Sequence, residues 1–274
     1  MEGGVRVRQY GFGWLAAVGI SLSLCKPAAA EPLPIQMHRA VYELSLGRTE
    51  MASDINGLDG RMVVEWQGGP ACGGYTMMQR MVMRFGGEGG GVTSDSRLST
   101  FETEASDEFS YTLTEYLGGE LTSREGGIAR RGKDGRVTLE REGEEVVTLH
   151  PETLFPIASM RAWIESMRRG DRIFEQIYFD GTEEKEKRVS VFVTGPGTSP
   201  TASGVKGGEL LEELAGWNTH ASYFDLDNTE GLPDFEMSFT LFANGVSSDL
   251  RLNYTELEIK ARLSEITFFS DGPC

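Results

Sequence analysis

The stretch "GYTMMQRMVMRF", residues 74–85, decides the fold. Tyr75, Met77, Gln79, Met81, Met83 and Phe85 fall on one side of a period-two pattern, with Thr76, Arg80 and Arg84 on the other. That alternation belongs to a strand with one buried and one wet face. The same period recurs at 40–46, 62–66, 109–117, 172–179, 188–193, 235–243, 250–254 and 257–268. Turn chemistry lies among these runs: Asp-Gly at Asp59 and again at Asp134, "FDGTEE" from Phe179, and Asn244-Gly245. Such pairs favour antiparallel hairpins. The chain therefore reads as mainly β and antiparallel.

One segment departs from the period. In "HPETLFPIASMRAWIESMRRG", Ile157, Met160, Trp163 with Ile164, and Met167 recur at helical spacing, and Gly170 after two arginines is a stop signal. The apolar stripe predicts a helix packed on the sheet. A shorter helix is expected at 209–215. Two stretches rich in Gly, Ser and Thr, from Gly86 and from Gly195, read as loops. Strands continue on both sides of the second, so residues 31–274 are expected to form a single domain, a size within the range of all-β sandwiches and barrels.

The first 30 residues have a different character. Arg6 and Arg8 precede an apolar run from about Gly11 to Cys25, followed by Ala28, Ala29 and Ala30. This is the layout of a secretory leader with cleavage after Ala30, and the run is shorter than the roughly 20 residues that span a bilayer. Losing Arg6, Arg8, Lys26 and Glu2 with the leader takes the formal charge from −16 to −18. A chain so acidic has no electrostatic footprint for nucleic acid or anionic headgroups. The expected location is periplasmic, and the mature chain is expected to be soluble and not membrane-spanning.

Cleavage also removes Cys25, leaving Cys72 and Cys274. Two cysteines in an exported chain favour a disulfide, and with so long a loop the chain-entropy treatment assigns it roughly 5 kcal/mol. The rival role, a catalytic thiolate at Cys72, lacks an evident partner among His38, His150 and His220. Those histidines show no zinc spacing and read as ordinary surface or hydrogen-bonded residues. Asp225, Asp227 and Glu230 lie close together but without the glycine spacing of an EF-hand loop, so a solvated turn is expected there. No G-x-S-x-G elbow, P-loop or G-x-G-x-x-G fingerprint occurs in the sequence. The expectation is a protein that is not an enzyme and uses no metal or cofactor. Met77, Met81, Met83 and Phe85 on the strand, and Met160, Trp163 and Met167 on the helix, are read as core under the helix, or else as the lining of a cleft for a peptide or lipid chain.

Six stretches resemble one family: "HRAVYELSLG" from His38, "INGLDGRMVVEW" from Ile55, "ACGGYTMMQRMV" from Ala71, "YFDGTEE" from Tyr178, "FEMSFTLFANGVSSDLRLNY" from Phe235, and the terminal Cys274. The chain resembles the EipB family of cell envelope integrity proteins from alphaproteobacterial periplasms. The resemblance implies a β-spiral, a broken barrel of antiparallel strands around one helix, closed by a disulfide falling here on Cys72 and Cys274. It also implies an envelope role without catalytic activity. The Gly- and Ser-rich stretches near Gly86 and Gly195 depart from the family. The expected function is that of a scaffold or binding protein for a periplasmic or envelope partner; a lipid or lipoprotein carrier is the alternative.

Overall fold

The computed structural model describes residues 35–49, 55–87, 90–197, 204–254 and 257–270. The strand of the opening motif, β3 (Gly74–Gly87), lies between β2 (Ile55–Gly69) and β4 (Val92–Thr103), antiparallel to both. From β1 (His38–Thr49) the chain meanders outward through β2, β3, β4, β5 (Glu108–Leu117), β6 (Glu120–Arg131), β7 (Val137–Arg141) and β8 (Val147–Leu149). The other arm starts at the end of the chain, where β15 (Leu257–Phe268) pairs with the opposite edge of β1. It continues backward in sequence through β14 (Ser247–Asn253), β13 (Phe235–Phe242), β12 (Gly216–Asp225), β11 (Lys187–Gly197), β10 (Ile173–Tyr178) and β9 (Thr153–Leu154). The 15 strands form one mainly antiparallel, nearly closed barrel-like sheet, with β9 and β10 its parallel pair. Its two outer strands, β8 and β9, are consecutive in sequence.

Helix α1 (Pro156–Arg169) follows β9 and packs inside this wall. Pro156 occupies the first turn, where its missing N–H is harmless. At the other end Gly170 adopts φ 89°, the left-handed cap that closes a helix, and its N–H donates to the Met167 carbonyl. Ile157, Trp163, Ile164 and Met167 are buried, so the stripe read from the sequence is the packed one.

The core has two parts. One surrounds α1 and gathers Trp66, Met77, Leu98, Phe109, Leu139, Phe179, Val191 and Phe239 from both arms. The other lies along the inner face of β1–β3 and β15, with Tyr42, Leu58, Met62, Met83, Ile259 and Leu263. Val64, Met237 and Leu250 touch both parts.

Several expectations need correction. The stretch from Gly86 is mostly strand: β3 runs to Gly87 and β4 starts at Val92, held by register on both sides. Asp59-Gly60 lies inside β2 and makes no turn. Gly60 is needed there because a Cβ would collide with the Val82 carbonyl oxygen of β3. Asp134-Gly135, Asp180-Gly181 and Asn244-Gly245 do turn the chain, each with a glycine at positive φ. The stretch from Gly195 begins as strand to Gly197, and residues 198–203 fall outside the described set. Beyond it Val205 is buried and Lys206 bridges to β15, so this segment packs back on the wall. The short helix at 209–215 is a 3-10 turn, Glu209–Glu213, anchored by buried Leu211.

Buried His38 offers a test of the seam between β1 and β15. Its ring is almost wholly enclosed beside Phe268, and Nδ1 lies 2.7 Å from the Gln36 carbonyl oxygen. Burial pulls its pKa below the ordinary 6.5, opposed by that carbonyl. The unfolded chain therefore takes the proton first as pH falls. The contribution of His38 is fully present above about 6.5 and is lost progressively below it. Urea midpoints between pH 7.5 and 5.5 should fall more steeply for the parent than for His38→Asn.

Candidate functional site

The helix stripe, the second arm and Trp66 of β2 line an open apolar cavity of about 150 Å³. Met160 and Trp163 line it from α1, Trp66 from β2, Tyr223 from β12, and Met237 and Phe239 from β13. Trp163 stacks on Phe239 with centroids 5.8 Å apart and meets Phe174 edge-on at 6.2 Å. Ser159, on the same wall, accepts a hydrogen bond from Gln176 Nε2. The Trp163 indole N–H and Gln176 Oε1 find no hydrogen-bond partner among the described residues.

The residues singled out from the sequence divide between places. Met160 and Trp163 line the cavity, while Met77 and Met167 are buried in the core around the helix. Met81, Met83 and Phe85 belong to the second core, away from α1. They share a strand face with Met77, but β3 is 14 residues long and the helix covers only one end of it. Cys72 ends a 3-10 turn, Pro70–Cys72, between β2 and β3. Cys274 lies outside the described residues, and with it the Cys72–Cys274 pairing.

Sequence reasoning missed what seats the helix. Glu102, on β4 and only 2 % exposed, accepts hydrogen bonds from the backbone N–H groups of Ile157 (2.7 Å) and Ala158 (3.1 Å) and from Ser106 Oγ (2.8 Å). A carboxylate at the first turn meets the unpaired donors and the positive end of the helix dipole. Burial pushes its pKa up, and the hydrogen bonds pull it down. Arg161 adds a second tie: its guanidinium donates to Tyr75 Oη at 2.5 Å and to Glu104 at 3.2 Å. Burial is the first cause that pushes the Tyr75 hydroxyl up to about 12.

Two more hollows lie elsewhere. One, of about 390 Å³, includes Arg48, Phe235, Tyr254 and Glu258 in its lining. There Glu258 is 6 % exposed and faces Arg48 at 3.4 Å and Arg251 at 3.5 Å. The other, of about 940 Å³, is a polar groove on β4–β7.

His220 is hydrogen-bonded, as expected: Nδ1 lies 2.9 Å from Ser238 Oγ and Nε2 3.0 Å from Glu236 Oε1. Ser222 donates to the same carboxylate at 3.0 Å. These residues meet through the β12–β13 register, which sequence spacing does not reveal. His220, Ser222 and Ser238 line none of the three hollows described. Asp225 ends β12 and accepts from Lys187 Nζ at 2.8 Å, while Asn228 organises the following turn through Glu230 and Gly231 N–H. Among the described residues no helix is long and apolar enough to cross a membrane.

Comparison with known proteins places this geometry. The chain is 29 % identical over 251 residues to the cell envelope integrity protein EipB of Brucella abortus (strain 2308), covering 89 % of this chain and 88 % of that one. The crystal structure of a beta-barrel-like protein of domain of unknown function DUF1849, also from Brucella abortus, superposes with a TM-score of 0.81 at 26 % identity. That match covers 87 % of this chain and all of the other. The family model described as EipB-like matches residues 29–270, a range that takes in every described strand and the helix, and the chain belongs to that family.

Proposed function

We propose that this chain is an exported, non-catalytic protein that supports cell envelope integrity by binding a protein partner in the periplasm. The full-length likeness to a cell envelope integrity protein carries this reading, and the leader-like first 30 residues support the location. Residues 31–274 are the working domain, which needs no cofactor or metal. A Cys72–Cys274 disulfide closes it. Strand register supports the bond: Phe268 of β15 and Trp66 of β2 both pair with His38, and β15 and β2 run in the same direction. Cys274 lies six positions beyond Phe268 in the sequence, and Cys72 lies in the turn that follows the end of β2 at Gly69.

The test is genetic. Deleting the gene should sensitise cells to detergents and envelope-directed antibiotics, and the full chain should restore resistance while a version lacking residues 1–30 does not. Unchanged sensitivity of the deletion strain would overturn the reading.

A second reading rests on the cavity beside Met160 and Trp163: a carrier of lipid or lipoprotein acyl chains. Native mass spectrometry of the chain purified from periplasm separates the two, because bound lipid is expected only for the carrier.

A further inference from the structure

The sheet manages most of its edges. β8 has three residues and β9 has two, a length that leaves little template for another strand. β6 leaves a longer stretch of edge open than either of these. It pairs with β5 along nearly its whole length, Glu120 to Arg130, but with β7 only over Gly127 to Arg131. Residues 121–126 therefore have no strand on their outward side among the described residues, and most of them are exposed. Six residues of strand span roughly 20 Å. In an antiparallel strand alternate residues direct both N–H and C=O to one edge, so about three of them present paired donors and acceptors to solvent.

The polar groove of about 940 Å³ runs beside this open edge. Ser99, Ser110, Thr112 and Gly126 form the small-residue part of its lining, with Phe101 and Ile128 beside them. Its lining leans acidic, four glutamates to two arginines, although Glu140 is paired with Arg130 and Glu144 with Arg141. Glu125, Glu140, Glu142 and Glu144 line it against Arg124 and Arg141. The Arg141 guanidinium is already held by Tyr111 Oη at 2.8 Å, by Glu144 and by the Glu184 carbonyl. Exposed Leu121 and Leu117 stand at the hairpin end of the same edge.

We infer that the open edge of β6, residues 121–126, takes an extended basic peptide segment of a partner protein as an added strand, its side chains answered by the glutamates of the groove. Main-chain hydrogen bonds supply affinity in such strand addition, and the flanking side chains select the sequence. The inference rests on the reading of this chain as a partner-binding protein and gives that reading a place and a chemistry.

The probe is a fluorescein-labelled heptapeptide alternating lysine with valine, compared with two twins N-methylated on alternate residues along one edge or the other. Binding to the mature chain is read by anisotropy. The plain peptide should bind, one methylated twin should bind at least about tenfold more weakly, and the double variant Glu125→Lys/Glu142→Lys should weaken the plain peptide by a similar factor. Hydrogen exchange should show protection appearing at 121–126. These substitutions sit on exposed side chains, and circular dichroism verifies that the fold is kept. No binding, equal binding by all three peptides, or unprotected 121–126 amides would overturn the inference. Crosslinking from periplasm separates this failure from failure of the parent reading. A partner captured equally by the parent and by Glu125→Lys/Glu142→Lys leaves partner binding standing and removes only the β6 edge.

Discussion

Replacing Glu102 with alanine should lower stability by roughly 2–4 kcal/mol, because one buried and one half-buried helix N–H group and a serine hydroxyl lose their acceptor together. The residue before the helix, Phe155, offers no side-chain cap, so nothing local replaces the lost carboxylate. Glu102→Gln keeps one acceptor oxygen and introduces no buried charge, and it should cost distinctly less. Urea unfolding followed by far-ultraviolet circular dichroism reads both variants. Equal, small losses would mean that the helix is seated by its apolar face alone.

The second large effect belongs to Phe109. Its ring is fully buried, stacks on Phe155 at 5.1 Å and meets Phe179 edge-on at 6.1 Å. Those three rings come from β5 of the first arm, the approach to the helix, and the turn after β10 of the second arm. Phe109→Ala removes the ring that the other two share and leaves a cavity where the wall nearly closes, at a cost of roughly 3–5 kcal/mol. The expected signature goes beyond a lower midpoint: exchange protection should fall at the start of α1 and in β10 as well as in β5. A loss confined to β5 would show that the arms hold together without this cluster.

Which parts of this arrangement were legible in the sequence follows from where each side chain gets its partners. Period two is set within a single strand, so Met77, Met81 and Met83 announced β3 directly. The helix was equally plain, since Trp163, Met167 and Gly170 sit at the spacing that one amphipathic turn imposes. β6 was not legible, because Gly126, Gly127 and a run of charged residues hide any alternation. The burial of Glu102 was invisible for another reason. It stands among Thr, Ser and Asp, which suggests a wet rim, and its donors lie 55 and 56 positions away on the helix. The division of the methionines between two cores was also out of reach. A shared strand face says nothing about which end the helix covers.

The proposal that an exported chain is clipped shut between its two remaining cysteines is tested most directly by one intact-mass measurement. The protein is recovered from periplasm, denatured without reductant and treated with a thiol alkylating reagent. The account predicts the mass of residues 31–274 less two hydrogens, with no alkyl group added. A chain that still carries residues 1–30, or one that takes up two alkyl groups, would contradict it.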